Sequence, residues 1–462
     1  MLEKQTRIAW SRCLCLIGAV LYAPSVQALS LEAGDKDSVC AAATPITNGI
    51  MDYYEGTRIG GAVGLFQPPY YWWEAGEIFG GMIDTWAWCG NHTYENIIYE
   101  ALMAQKGPNG DYVPKNQSFT EGNDDQAFWG LTVMEATERN FTNPPADELG
   151  WLALSQGVYN TMLSRWDSAD CGGGLRWQIF QWNSGYDYKN TISNSCLFNM
   201  AARLARYTQN DTYIDTAEMV WDWLMDVKYI QNKSDGYNII DGANIGNNNC
   251  TTFETNTWSY NYGILMAGTA YLYNFTNEQI WLDRLTGIYN GFESTFINAS
   301  TGILYEHMCQ ETGNCNNDQR SFKSIVSRCL GQTAVLVPSF RDKIMTIINK
   351  SAEGAAKSCS GGSDGHTCGI NWSYGGWDGW YGLGEQISAL EIIQNTLVLQ
   401  VPPPLTNSTG GTSKGDVNAG LTSHETTNKN EITVTSKDKA GAGVLTAIVL
   451  IIFVAISTWV LI

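Results

Sequence analysis

Ile192-Ser193-Asn194-Ser195-Cys196-Leu197-Phe198-Asn199-Met200-Ala201-Ala202-Arg203-Leu204-Ala205-Arg206-Tyr207 sets Ile192, Cys196, Met200, Leu204 and Tyr207 three or four residues apart. That is the period of one buried helix face. A similar stripe precedes it (Trp151, Leu154, Val158, Met162, Trp166) and another follows (Ile214, Ala217, Trp221, Leu224, Val227). Further stripes cover about 40–56, 93–105, 126–139, 258–273, 278–290, 321–337, 341–357 and 384–397. No long alternating strand pattern competes with them. The connections, such as Cys171-Gly172-Gly173-Gly174, are Gly-rich, and some read as short hairpins. Helices are expected to begin near Asp124, Lys189, Asn256, Ser321 and Gly384, at intervals of 65, 67, 65 and 63 residues. Each interval holds two helices and one long loop, which indicates a repeat of helical pairs. Solenoid repeats are usually shorter and nearly identical, whereas these loops vary in length and carry many aromatics. An all-α fold closed into an (α/α)6 toroid is therefore expected over residues 29–400, with inner helices around a cleft and a sixth pair from residues 40–106. The alternative, two helical domains divided near Tyr229 to Asn249, follows from the usual size limit of a domain.

Composition narrows the function. The chain has 462 residues, 46 acidic against 27 basic, a formal net charge of -19, and only 16% charged residues. No Lys/Arg cluster is present to hold phosphate backbones, so a nucleic-acid partner is not expected. Eighteen Trp, 23 Tyr and 47 Gly among few charges suit flat, hydroxyl-rich ligands, carbohydrate first.

The two ends read as addresses. Met1 to Ala28 has basic Lys4, Arg7 and Arg12, a short apolar run from Cys13 to Tyr22, and a small-residue end at Val26-Gln27-Ala28. This is the pattern of a cleaved secretory signal; the alternative, an uncleaved anchor, has too short an apolar run. Residues 401–440 are rich in Ser, Thr, Asn, Gly and Pro and are expected to form a disordered stalk. Residues 441–462 are apolar and lack a basic flank, the pattern of a GPI-anchor signal rather than of a simple tail anchor. Asn418-Ala419-Gly420 and Ser436 are both candidate attachment regions. Without Cys13 and Cys15, ten cysteines remain, an even number that in an oxidising compartment is read as disulfides. Cys309–Cys315 and Cys359–Cys368 are the plausible local loops. The scattered His92, His307, His366 and His424 and the absence of paired C-x-x-C motifs speak against structural zinc, and no metal or cofactor is expected. Sequons at Asn91, Asn116, Asn140, Asn210, Asn232, Asn249, Asn274, Asn298, Asn349, Asn371 and Asn407 indicate a glycosylated extracellular surface.

Glu121-Gly122-Asn123-Asp124-Asp125-Gln126 opens one of the inner helices. Asn and Asp are favoured caps, and acids near a helix N-terminus offset the macrodipole, so a purely structural role is available. The adjacency adds something more. Two neighbouring carboxylates repel, so one ionises readily while the other holds its proton, the division of labour of a retaining glycosidase.

Gly122-Asn123-Asp124-Asp125-Gln126-Ala127-Phe128-Trp129-Gly130 resembles the Asp-Asp signature of glycoside hydrolase family 76, the α-1,6-mannanases and their fungal cell-wall relatives of the Dfg/Dcw type. Four further stretches resemble family motifs: Tyr71-Trp72-Trp73-Glu74-Ala75-Gly76, Cys171-Gly172-Gly173-Gly174-Leu175-Arg176-Trp177, Tyr188-Lys189-Asn190-Thr191-Ile192-Ser193-Asn194 and Trp258-Ser259-Tyr260-Asn261-Tyr262-Gly263. The resemblance spans about residues 35–400. It implies an (α/α)6 fold, Asp124 as nucleophile, Asp125 as acid/base, and retention through a mannosyl-enzyme. Asp241 resembles a family acid that contacts mannose hydroxyls; an Asp-Gly turn is the alternative. Asn190 and Tyr260 begin inner helices and either face the cleft or cap and pack. Trp88 and Trp377, the latter in Gly375-Gly376-Trp377-Asp378-Gly379-Trp380, offer stacking faces for sugars unless they are core. Cys250, near the Asp241 loop, is a candidate to clamp it by a disulfide.

Three functions remain in play: an endo-acting α-1,6-mannosidase of the fungal cell wall, a transglycosidase moving a GPI-type glycan onto wall glucan, and a wall lectin without chemistry. The intact Asp124-Asp125 pair speaks against the lectin. The expected location is the outer face of the cell membrane through a GPI lipid, or the cell wall.

Overall fold

The computed structural model describes residues 28–246, 248–421 and 436–461. The expected signal therefore lies, apart from Ala28, outside the described residues, as do positions 422–435 of the expected stalk. Among the described residues, twelve helices alternate along the ring: α1 Lys36–Met51, α2 Trp72–Cys89, α3 Glu95–Gln105, α4 Asn123–Glu138, α5 Trp151–Ser164, α6 Thr191–Thr208, α7 Thr212–Asp226, α8 Ser259–Thr276, α9 Gln279–Phe296, α10 Asn317–Leu336, α11 Arg341–Ser358 and α12 Leu383–Gln394. The even-numbered helices pack side by side in the order α2, α4, α6, α8, α10, α12, and α12 returns to α2. The odd-numbered helices lie outside them. This closed ring is the (α/α)6 toroid. It excludes a division near residues 229–249, because α6 and α8, on either side of that segment, are direct neighbours.

Local chemistry sets the boundaries. Asp35 accepts the Ser38 N–H at 2.8 Å to start α1, and Asn190 accepts that of Ser193 at 3.2 Å to start α6. Asn316 and Gln319 exchange backbone-to-side-chain bonds of 2.9 Å to open α10. Such caps satisfy N–H groups that the first helical turn leaves free. The inner helix α2, in the region expected to supply the sixth pair, has nearly all its residues buried, acids and glycines included. Its Gly80 and Gly81 admit neighbours that a Cβ would strike, at 2.8 Å from Arg328 and 2.3 Å from Glu391.

The ring axis is filled by ion pairs. Arg328 of α10 bridges Glu77 of α2, at 3.0 Å, and Glu391 of α12. Arg139, just after α4, meets Asp84 at 2.8 Å and Glu135 at 2.9 Å. Arg203 of α6 meets Glu135 and Glu138, both at 2.6 Å. Buried charges require such partners. Burial pushes the Glu77 carboxyl up to about 7; burial would also raise Glu135, but Arg139 and Arg203 pull it down to about 2.

Short strands decorate one end of the ring: β1 Tyr188–Asn190, β2 Ile230–Lys233, β3 Gly236–Ile239, β4 Gly242–Asn244 and β5 Phe253–Glu254. β2 and β3 form a hairpin, while β1, β4 and β5 form an antiparallel sheet pairing Asn190 with Gly242. The Cys171–Cys250 disulfide ties the loop after α5 to the β4–β5 loop. Further disulfides are Cys40–Cys89, Cys309–Cys315 and Cys359–Cys368.

Two expectations are corrected. Cys196 of α6 and Cys329 of α10 are free and buried, so the ten cysteines are not all paired. An even count cannot distinguish a bridge from a thiol packed as a small apolar side chain. Residues 401–421 are also not the disordered stalk that their composition suggests. Residues 401–421 form a strap along the ring: Leu405 N–H bonds Glu138 O at 3.0 Å, Asn407 N–H bonds Tyr207 O at 3.0 Å, and Ala153 N–H bonds Lys414 O at 3.2 Å. Asn160 Nδ2 donates to Val417 O at 3.0 Å and Ala419 O at 2.9 Å. Free helix-terminal carbonyls and side-chain amides of the ring recruit this polar chain, and composition cannot see them. Residues 436–440 of the expected stalk and the apolar tail to Leu461 together form α13, Ser436–Leu461, an exposed helix long and apolar enough to cross a membrane.

Candidate active site

The N-terminal ends of the inner helices and the loops before them enclose a cleft of about 490 Å³. Its floor is the first turn of α4. Asn123 N–H bonds Trp177 O at 2.7 Å, and Asn123 Nδ2 donates to Arg176 O at 2.9 Å, so the Cys171–Trp177 motif holds the turn in place. That motif is braced in turn by buried Lys189, whose Nζ donates to the carbonyls of Asp167, Asp170 and Gly173 at 2.9, 2.8 and 2.7 Å. Gly173 and Gly174 have φ of 147° and 91°, and Trp223 occupies the space of a Gly174 Cβ.

Asp124 and Asp125 both line the cleft. Asp125 Oδ2 accepts the Gly122 N–H at 2.7 Å. Asp124 Oδ1 is buried with no hydrogen-bond partner. Burial and then the neighbouring Asp125 hold Asp124 well above the usual carboxylate range, and burial pushes Asp125 up to about 7. Burial thus favours the protonated form of both carboxyls, and a charge on Asp125 further opposes ionisation of Asp124.

Asp241 is brought to the same cleft by the pairing of β1 with β4, and its Oδ2 accepts the Tyr188 hydroxyl at 2.7 Å. Burial raises it to about 6. Gly242 follows because a Cβ there would lie 2.4 Å from Lys189 O, a close strand approach rather than a tight turn. Asn190 lines the cleft while capping α6, so it has both roles offered by the sequence. Tyr260 stacks on Phe322 with centroids 3.9 Å apart and also faces the cleft.

The comparisons with known proteins fit this geometry. The sequence model of Glycosyl hydrolase family 76 matches residues 38–408. The chain belongs to this family. It is 55% identical to the mannan endo-1,6-alpha-mannosidase DFG5 of Saccharomyces cerevisiae over 95% of each chain. It is 51% identical to the mannan endo-1,6-alpha-mannosidase DCW1 of the same yeast, over 97% of this chain and 99% of that one. Among solved structures it matches Dfg5 from Chaetomium thermophilum in complex with glucosamine, with 38% identity, TM-score 0.81, and 85% and 98% of the two chains covered. A bacterial alpha-1,6-mannanase of family 76 from Salegentibacter, in complex with alpha-1,6-mannotetrose, shares the fold at TM-score 0.62 and 16% identity, over 78% of this chain and 99% of that one.

Two predicted stacking residues lie outside the family 76 cleft. Trp88 is 2% exposed near the C-terminal end of α2, under the Arg139 guanidinium. Sixteen residues of helix separate it from Trp72, about 24 Å at 1.5 Å per residue. Trp377 sits on the loop before α12, its Nε1 donating to Trp380 O at 2.6 Å, and does not line the cleft. The sequence reading missed Asp318, whose Oδ1 accepts Trp73 Nε1 at 2.9 Å within the cleft. The signal existed: Asn316-Asn317-Asp318-Gln319 repeats the pattern of Asn123-Asp124-Asp125-Gln126 at the start of another inner helix. It also missed Trp258, Tyr188 and Glu121. The lining thus carries Glu121, Asp124, Asp125, Asp241 and Asp318, and among the described residues no Lys or Arg.

The sequons differ in setting. Asn116 and Asn232 are exposed. The Asn274 amide is held at both ends, donating to Leu336 O at 3.0 Å and accepting Arg206 Nε at 2.8 Å. Asn140 Nδ2 donates to Gly410 O of the strap at 2.8 Å.

Proposed function

We propose that the protein is a retaining, endo-acting α-1,6-mannosidase of the fungal cell wall. The observation that carries this reading is the buried Asp124–Asp125 pair at a helix N-terminus, open to an aromatic-walled cleft in a family whose similar members are named mannan endo-1,6-alpha-mannosidases. Asp124 attacks the anomeric carbon, aided by the positive end of the α4 dipole. Asp125 protonates the departing glycosidic oxygen, and an oxocarbenium-like transition state collapses to a mannosyl-enzyme. Asp125 then deprotonates the incoming water, whose attack restores the anomeric configuration. Tyr260 and Trp258 supply faces for sugar rings, and Asp241 and Asn190 supply hydrogen bonds to hydroxyls. Five carboxyl groups without a lining base favour a neutral or cationic glycan over an anionic one.

A second reading is transfer of a GPI-linked glycan to wall glucan, with a sugar hydroxyl replacing water at the same intermediate. The solved Dfg5 complex with the amino sugar glucosamine favours it, since an ammonium group suits an acidic cleft. The chain is further read as secreted behind a cleaved signal, held at the membrane face by a GPI lipid added in place of the apolar tail, and N-glycosylated at exposed sequons such as Asn116 and Asn232. Incubating purified protein with α-1,6-mannan, and with a GPI-type glycan plus glucan oligosaccharides, separates the readings. Shortened mannan supports hydrolysis, a glucan-linked product supports transfer, and neither product refutes both.

A further inference from the structure

Arg165 follows the last residue of α5, and its side chain reaches across to the first turn of α4. Its Nε donates to Asn123 Oδ1 at 2.8 Å, and its Nη2 donates to Gln126 Oε1. These two amides stand immediately before and immediately after Asp124-Asp125. Their remaining polar atoms are committed as well. Asn123 Nδ2 is bound to Arg176 O, and Gln126 Nε2 donates to Asp111 O at 2.6 Å and to Thr161 Oγ1 at 2.8 Å. One rigid fork thus holds both flanks of the pair.

The fork makes no direct ion pair with an acid among the described residues. The acids that act on its charge are Asp111 and Glu121, and burial pulls the guanidinium down to about 10. Nη1 of Arg165, Oδ2 of Asp111 and both carboxyl oxygens of Glu121 are buried without direct partners. This arrangement separates position from charge. A guanidinium paired directly with an acid/base carboxyl would lower its pKa by about 1–3 units and spoil it as a proton donor. Two neutral amides transmit geometry but little charge.

We propose that Arg165 is a positioning residue for the Asp124–Asp125 pair, acting through Asn123 and Gln126. The inference rests on the reading that this pair carries the chemistry. Lysine is not an equivalent, because one ammonium on a flexible stem lacks the planar fork that meets both amides.

The test uses purified protein carrying Arg165→Lys, Asn123→Ala or both. Readouts are turnover of an aryl α-1,6-mannobioside, its pH profile, and covalent labelling by a mannose-configured cyclophellitol. A displacement of catalytic groups by about 1 Å costs on the order of 100-fold in rate. Arg165→Lys is therefore expected to lower kcat about 10- to 100-fold with KM little changed, and to slow labelling in parallel. Its high-pH limb should stay within about half a unit of wild type. Asn123→Ala removes one amide without touching the arginine, and the double variant should be no worse than the poorer single variant. Unchanged kcat in properly folded Arg165→Lys, a limb displaced by more than one unit, or additive losses in the double variant would each overturn the proposal. Labelling of wild-type protein at a residue other than Asp124 would instead overturn the assignment of the pair, a distinguishable failure.

Discussion

Replacing Glu306 by Gln isolates the cost of a buried carboxyl placed under the cleft wall. Glu306 is wholly buried, and its carboxyl accepts bonds from the backbone and hydroxyl of Ser259, the first residue of α8. Burial raises it from the ordinary 4.5 to about 8, although the Ser259 bonds and Lys323 oppose the shift. The folded protein therefore binds a proton at mildly acidic pH that the unfolded chain has released. Stability from this group is complete below about 4.5 and is lost as pH rises towards 8, by roughly 1.4 kcal/mol per pH unit once the unfolded form is ionised. Glutamine keeps an acceptor for Ser259 and does not titrate. Between pH 4.5 and 6.5, a window in which Lys323 (pulled by burial to about 7) remains mostly charged, the variant should gain about 2 kcal/mol relative to wild type. Thermal unfolding followed by circular dichroism at several pH values in this window measures the difference as a widening gap of a few degrees. Wild-type and variant curves that run parallel would show that Glu306 is not a buried, proton-retaining acid, and the reasoning would be wrong.

Two other outcomes are expected. Asp125→Ala should impair substrates with poor leaving groups far more than activated aryl mannosides, and azide should rescue it as the α-mannosyl azide; a β-azide would exchange the roles of Asp124 and Asp125, and unimpaired turnover would return the run to a helix cap. Deleting residues 441–462 should release active protein into the medium, whereas deleting 401–462 should abolish secretion, because it also strips the strap from the ends of α4 and α6 and from α5. Secretion of the shorter form with normal melting would refute a structural role for the strap.

The sequence was most informative where side chains face one way. The outer helices α7 and α9 are amphipathic, so their stripes and the regular spacing announce paired helices. α2 is buried on nearly every side, and its acids find their partners, Arg328 for Glu77 and Arg139 for Asp84, only on segments distant in the chain. The same contrast holds in the site. Asp124 and Asp125 are legible because they are adjacent and open a helix, whereas Asp318 joins them only when α10 closes beside α2 and Trp73 donates to it. Trp88 shows the reverse error: tryptophan chemistry suits sugars, but its position on α2 sets it at the far end of the ring.

By itself the sequence determined the helical pairs, the Asp124–Asp125 motif with its family, and the candidate signals at both ends, because each rests on residues close together in the chain. Only the tertiary structure decided which acids share the cleft, which thiols stay free, that residues 401–421 pack on the ring, and which arginine binds Asn123 and Gln126. Those facts depend on groups from distant segments meeting in a low-dielectric interior. There, burial and hydrogen bonding set protonation and partnership, and spacing along the chain carries no record of either.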